Sequence, residues 1–183
     1  TNCKYIDDYI GAIRSGQVPA SREMRQACDY IARKLDDPDV FIDVGKAERA
    51  VTLIEKYFKS ALFNWERFII ALIHCYYRST DTIVFSEYLI MMGRGNGKNG
   101  FISGVAWYLT TADHGVPGYN VDIIANSEEQ AKTSFEDIYQ MLDDNWGKLK
   151  KFFYKTKEII TSLRTRSYIK YNTSNSKTKD GRR

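Results

Sequence analysis

A glycine-rich loop, Met92–Gly100, constrains the fold of this chain more than any other feature. It follows the apolar run Tyr88–Met91, and the pattern predicts a strand over 83–92, the loop, and a helix over about 97–111. Loops of this kind present backbone N–H groups to a phosphate, while a lysine at the start of the helix reaches the outer phosphates. The sequence therefore predicts a nucleoside triphosphate site with Lys98 at its centre.

The loop departs from the usual phosphate-binding pattern G-x-x-x-x-G-K-[ST] at both ends. Met92 stands in place of the first glycine, and Asn99 stands in place of the Ser or Thr that contacts Mg²⁺. A carboxamide still offers an oxygen to a cation, but it lacks the hydroxyl. We therefore expect Asn99 to face Mg²⁺ and the rest of the loop to contact the phosphates through Gly93, Gly95, Asn96, Gly97 and Lys98.

The same glycines fit other patterns less well. Gly95–Gly100 is formally G-x-G-x-x-G, but the dinucleotide motif needs an acidic residue about 20 positions on, at the end of the next strand. That predicted strand ends at Ala125 and Asn126, without an acid. A kinase glycine loop also fails, since nothing resembles the later V-A-I-K strand or H-R-D loop. A glycine turn without any ligand is disfavoured, because clustered glycines cost conformational entropy.

Hydrophobic periodicity predicts an α/β fold. The sequence predicts a helical N-terminal segment over 1–60 and, over 61–183, an incomplete P-loop NTPase-type core with a largely parallel sheet. The N-terminal segment carries three apolar stripes at helical spacing, which begin near Tyr5, Met24 and Ala47. The predicted elements of the core, besides those around the loop, are a helix at 64–77, a strand at 119–125, a helix at 127–146, and strands at 159–161 and 168–171.

Composition narrows the class of protein. No apolar run reaches the roughly 20 residues of a membrane span, so no membrane is expected. The three cysteines, Cys3, Cys28 and Cys75, lie outside any CxxC motif, which disfavours a disulfide framework or a zinc site. Between Lys148 and Arg183 there are twelve Lys and Arg residues against two acids. This basic end indicates either an anionic partner, nucleic acid first, or only a solvated hairpin and tail.

With these residues in hand, the chain resembles the large terminase subunit of tailed bacteriophages, the ATPase that pumps double-stranded DNA into a capsid. The loop of that family has an arginine four residues before the lysine and often ends in Asn-Gly-Lys, as do Arg94 and Asn96–Lys98 here. Further segments similar to family elements, in the same order, are Lys46–Phe58, Asn64–Ile70, Ile123–Ala131 and Asn175–Arg183.

The resemblance implies roles for individual residues. Lys98 would bind the β- and γ-phosphates, Arg94 would stabilise charge on the γ-phosphoryl, and Asn99 would meet Mg²⁺. Trp65 and Glu66 would lie near adenine, although family members carry glutamine where this chain has Glu66. An ionised carboxylate only accepts hydrogen bonds, so Glu66 puts adenine selectivity in doubt.

The resemblance also implies the wider setting: ATP and Mg²⁺ as cofactors, and double-stranded DNA, the portal protein and the small terminase subunit as partners. It further implies a homo-oligomeric ring and the cytoplasm of a bacterial host. Family members place an acidic, metal-holding strand shortly after the equivalent of Arg183 and a nuclease domain beyond it. We therefore expect this chain to be an N-terminal part that binds nucleotide and hydrolyses it slowly. Phosphoryl transfer depends on positioning and charge neutralisation, and the acidic, metal-holding strand supplies part of both.

Two alternatives remain open at the level of sequence. The first is a nucleic-acid-binding or assembly module whose loop no longer handles nucleotide, favoured by the basic end and the imperfect loop. The second is another P-loop enzyme, such as a helicase or a small-molecule kinase, against which the order of segments argues.

Overall fold

The computed structural model describes residues 1–93 and 95–173. They divide into two compact units, the first formed by Thr1–Thr52 and Ala61–Met91, the second by Leu53–Ser60 and the described part of Met92–Arg183. The predicted boundary at residue 60 stays a prediction, because compactness does not test where an independently folding domain begins.

The first unit is mostly helical. Its helices are α1 (Lys4–Arg14), α2 (Arg22–Leu35), the first part of α3 (Val44–Phe58) and α4 (Asn64–Ile73). Strands β1 (Val40–Ile42) and β2 (Cys75–Tyr77) pair antiparallel. The core contains Ile6, Ile13, Phe68 and Leu72 together with the three cysteines as free thiols. The three predicted helices are therefore confirmed, and Ser21 caps α2 by accepting a hydrogen bond from the Met24 N–H.

Two sequence predictions in the first unit are wrong. The fourth helix ends at Ile73 rather than near Tyr77, because Cys75–Tyr77 pairs with Val40–Ile42 instead. The strand predicted over 83–92 does not form, apart from an isolated bridge between Ile83 and Tyr76. The Val84 N–H still donates to the Cys75 oxygen of β2 at 2.9 Å. A strand needs a neighbour to satisfy its backbone groups, and no described strand pairs with the segment after Val84.

The second unit places helices against a mixed sheet. After the last turns of α3 come α5 (Lys98–Leu109), β3 (Val121–Ala125), α6 (Glu128–Asp144), the short α7 (Trp146–Leu149), β4 (Phe153–Lys155), β5 (Ile159–Ser162) and β6 (Tyr168–Thr173). The strand order is β3-β6-β5-β4. Ser127 caps α6 by accepting a hydrogen bond from the Gln130 N–H at 3.3 Å.

The prediction of a largely parallel sheet is wrong, although the α/β class is confirmed. Among the strands of the described residues, only β3 and β6 run parallel, while β6–β5 and β5–β4 are antiparallel. The connections explain this difference, since α6 supplies the long crossover that parallel strands require. The links at 156–158 and 163–167 are short, so they allow only hairpins.

Apolar side chains of α5 and α6 form the core of the second unit. Trp107 of α5 is 2% exposed and meets the ring of Tyr57, edge to face, at 5.2 Å between centroids. Phe135 and Ile138 of α6 and Ile169 of β6 are also fully buried. This core fixes α5, and therefore the glycine loop that precedes it. No helix in the described ranges has the length and apolar character to cross a membrane.

Candidate functional site

The glycine loop contains two residues with left-handed backbone. Gly95 has φ +80° and Gly97 has φ +76°, a region that residues with a Cβ rarely adopt. Gly97 is also the N-cap of α5, which begins at Lys98 as the sequence predicts. The glycines are therefore required by the path of the loop.

The Lys98 ammonium group contacts backbone carbonyl groups at the start of the glycine loop. Its Nζ lies 2.8 Å from the carbonyl oxygen of Met92 and 3.4 Å from that of Gly93. The Asn96 amide nitrogen also lies 3.4 Å from the Gly93 oxygen. The side chain of Lys98 is half-buried, so a cation sits among backbone groups with one side open to solvent.

The start of α5 adds unpaired donors beside that cation. The first helical hydrogen bond runs from the Phe101 N–H to the Gly97 oxygen at 3.1 Å, and no side chain caps the helix. The N–H groups of Lys98, Asn99 and Gly100 consequently lack intrahelical acceptors, and the helix dipole favours negative charge there. Left-handed glycines, exposed amides and an ammonium group together fit a phosphate.

Two residues that sequence analysis missed hold this helix start in place. Phe101 is 3% exposed and anchors the first turn in the core. The hydroxyl of Ser103 lies 2.7 Å from the Asn99 oxygen and 3.1 Å from the Ser134 oxygen of α6. Their positions in the sequence, about one turn after the start of the helix, could have identified them, because the inward face of an anion-binding helix must be held in place.

The sequence also predicts roles in the site for Asn99 and Arg94. Asn99 is exposed on the first turn of α5, where its carboxamide oxygen is available to a cation. Among the described residues, no three His, Cys, Asp or Glu side chains converge on a metal-binding position, so the Mg²⁺ assignment rests on Asn99 alone and stays a prediction. Arg94 lies outside the described residues.

Trp65 and Glu66 belong to the first unit, at the start of α4. Trp65 is half-buried, whereas Glu66 is 4% exposed and accepts a hydrogen bond from the Phe63 N–H at 2.7 Å. A glutamate at this position satisfies one of the unpaired donors at a helix start. Burial raises the pKa of the Glu66 carboxyl, against the lowering effects of the Phe63 N–H and the charge of Arg67.

This environment leads to a prediction for Glu66→Gln. A carboxyl whose pKa is raised by folding favours the protonated form, so its ionisation destabilises the protein as pH rises above its unfolded pKa of about 4.3. Glutamine keeps an acceptor for the Phe63 N–H and cannot ionise. We expect the free energy of unfolding of the variant, relative to the original protein, to increase between pH 4 and pH 7 in urea titrations.

The matched control is Glu23→Gln, which removes an exposed glutamate from the first turn of α2. Both variants lose a similar favourable interaction with a helix dipole, so their difference isolates the burial of Glu66. A relative stability of Glu66→Gln that falls between pH 4 and pH 7 would contradict the prediction.

Comparisons with known proteins bear on the fold. No protein-family model and no curated protein matches the chain. Among solved structures, the chain is similar to the crystal structure of the large terminase of bacteriophage HK97, with a TM-score of 0.60 and 22% sequence identity. The similarity covers 74% of this chain and 29% of that chain, so the described fold corresponds to less than a third of the phage protein. The fold is therefore terminase-like, an α/β arrangement with a mixed sheet.

Proposed function

We propose that this chain is the ATP-binding part of a viral DNA-packaging motor, in which the intact protein couples ATP hydrolysis to movement of double-stranded DNA into a capsid. The observation that carries the proposal is the Lys98 ammonium group held inside a loop with left-handed Gly95 and Gly97, at the uncapped start of α5. The similarity in fold to a phage large terminase supports it.

The loop residues then have distinct roles. The amides from Gly93 to Gly97 and of the first turn of α5 would hold phosphate oxygens, and Asn99 would offer its oxygen to Mg²⁺. Lys98 would exchange its carbonyl partners for phosphate oxygens, an exchange that favours binding because hydrogen bonds between two charged groups are stronger than those to a neutral carbonyl. Arg94 would stabilise charge on the γ-phosphoryl. Trp65 and Glu66 would lie near adenine.

The proposal includes the setting in which such a motor works. The intact protein would act as a homo-oligomeric ring on the portal protein, receive DNA with the small terminase subunit, and operate in the cytoplasm of a bacterial host. Mg²⁺ bound with ATP would neutralise phosphate charge. The contribution of the chain is to hold the phosphates in place and keep the ammonium group beside them.

Calorimetric titration with Mg²⁺-ATP tests the proposal, with Lys98→Ala as the variant and Lys132→Ala of α6 as the control. Lys132 is a half-buried lysine whose ammonium group pairs with Glu136. We expect saturable binding that Lys98→Ala weakens by about ten- to a hundred-fold, since a hydrogen bond between charged groups contributes roughly 1.5–3 kcal/mol. The control should bind as the original protein does.

Thermal unfolding of both variants first establishes that each is folded. Equal ATP binding by Lys98→Ala and the original protein would show that the phosphates do not bind at this loop. It would favour the alternative function, a nucleic-acid-binding or assembly module without nucleotide turnover.

A further inference from the structure

We propose that a basic surface at one end of the β4–β5 hairpin binds the phosphate backbone of duplex DNA. This surface, the hairpin patch, consists of five exposed cations contributed by α7, the residues after it and the turn between β5 and β6: Lys148, Lys150, Lys151, Arg164 and Arg166. The choice of duplex DNA among polyanions rests on the proposed function, whereas the patch itself rests on the structure.

Strand pairing brings the two halves of the hairpin patch together. Phe153 is paired with Ser162, and the Leu163 N–H donates to the Phe152 oxygen at 2.8 Å, so the same register places Lys151 opposite Arg164. Both cations contact one ring, since the Lys151 Nζ lies 5.0 Å and the Arg164 guanidinium carbon 5.1 Å from the Phe152 centroid.

The backbone beneath the hairpin patch is fixed by hydrogen bonds. The Thr165 hydroxyl donates to the Thr110 oxygen at 2.6 Å, and the Gly118 N–H donates to the Thr165 oxygen at 2.7 Å. On the other side, the Phe152 N–H donates to the Leu149 oxygen at 2.8 Å, and Leu149 is buried. Hydrogen bonds therefore tie the backbone on both sides of the hairpin patch to neighbouring segments.

Within the described ranges, none of the five cations takes part in an ion pair. The acids nearest in sequence are already engaged, since Asp143 pairs with Lys155 and Asp144 accepts from the Gln140 amide at 2.9 Å. Glu158 lies in the turn at the opposite end of the hairpin. Like charges gathered without counter-charges repel one another, and a polyanion would relieve that repulsion.

The chemistry of the hairpin patch fits a phosphate backbone better than exposed bases. The Phe152 ring is half-buried and already contacted by two cations, so it offers no free face for base stacking. Lysine and arginine that neutralise phosphates bind duplex DNA without sequence preference and release counterions. Arginine adds a planar fork that matches two phosphate oxygens.

Fluorescence anisotropy of a labelled duplex of about 20 base pairs, titrated without nucleotide between about 50 and 200 mM salt, tests the proposal. The patch variant is Lys148→Ala/Lys151→Ala/Arg164→Ala. The control, Arg22→Ala/Arg25→Ala/Lys157→Ala, removes the same charge from exposed positions on α2 and in the turn between β4 and β5. Thermal unfolding establishes that both are folded.

We expect the patch variant to bind the duplex about ten-fold or more weakly, and its plot of log affinity against log salt to lose a slope of about 2 to 3, because each phosphate contact contributes roughly 0.9. The control should keep most of the affinity. Equal losses in the two variants would mean that net charge alone drives binding, and this would overturn the proposal. So would an unchanged patch variant.

Two further measurements separate this proposal from its rivals. Lys98→Ala should bind the duplex normally, and the patch variant should bind ATP normally. The DNA-binding result can therefore be interpreted even if the protein does not bind nucleotide. Co-sedimentation with phosphatidylcholine vesicles containing phosphatidylserine tests a membrane surface. Binding of these vesicles through the hairpin patch, without binding of the duplex, would overturn the assignment to DNA.

Discussion

Replacing Lys155 with alanine is expected to lower the free energy of unfolding by about 2–3 kcal/mol. Its side chain is only 8% exposed, and its ammonium group lies 3.4 Å from the centroid of the Tyr139 ring and 5.2 Å from that of Trp146 while pairing with Asp143. A desolvated cation–π contact contributes about 2 kcal/mol, and the alkyl stem adds packing. Urea unfolding monitored by tryptophan fluorescence measures the effect.

Two control variants separate the contributions at Lys155. Lys157→Ala, in the exposed turn of the same hairpin, should change stability by less than about 0.5 kcal/mol. Lys155→Met keeps the alkyl stem but loses the charge, so its stability should lie between that of Lys155→Ala and the original protein. A Lys155→Ala protein as stable as the Lys157→Ala protein would show that the ring contacts do not fasten the hairpin to α6.

Gly104→Ala is the second prediction with a large effect, a loss of about 1–2 kcal/mol. A Cβ at this position of α5 would lie 2.7 Å from the Cγ2 of Ile54, a β-branched side chain that is 2% exposed and has little room to move. Overpacking of this kind costs about 1–3 kcal/mol and outweighs the gain of up to about 1 kcal/mol from replacing a helical glycine. Thermal and urea unfolding of the variant measure the net effect.

Gly100 offers a matched control within α5. A Cβ there meets nothing within 4 Å, so Gly100→Ala should leave stability unchanged or raise it. The double variant Gly104→Ala/Ile54→Ala should lose less stability than the sum of the single variants, because the smaller side chain at position 54 makes room for the new methyl group. Additive losses would place the cause outside the contact between these two residues.

Local features of the chain were predictable because short-range physics decides them. The helices over 1–58 follow from apolar spacing, and the N-caps Ser21 and Ser127 satisfy donors within their own first turns. The start of α5 after Gly97 follows from the glycine and the apolar residues behind it. The strand β4 was missed, although the aromatic run from Phe152 to Tyr154 was a signal for it.

The sequence by itself determined the helices over 1–58, the caps Ser21 and Ser127, and the start of α5 after Gly97, since each depends on residues within one or two turns of each other. Only the tertiary structure decided that Cys75–Tyr77 is a strand and that 83–92 does not form one, because pairing depends on partners distant in the chain. It also decided the direction of the sheet, the burial of Glu66, and which lysines are exposed and which, like Lys155, are enclosed. These properties arise from contacts between elements, which no local pattern of residues encodes.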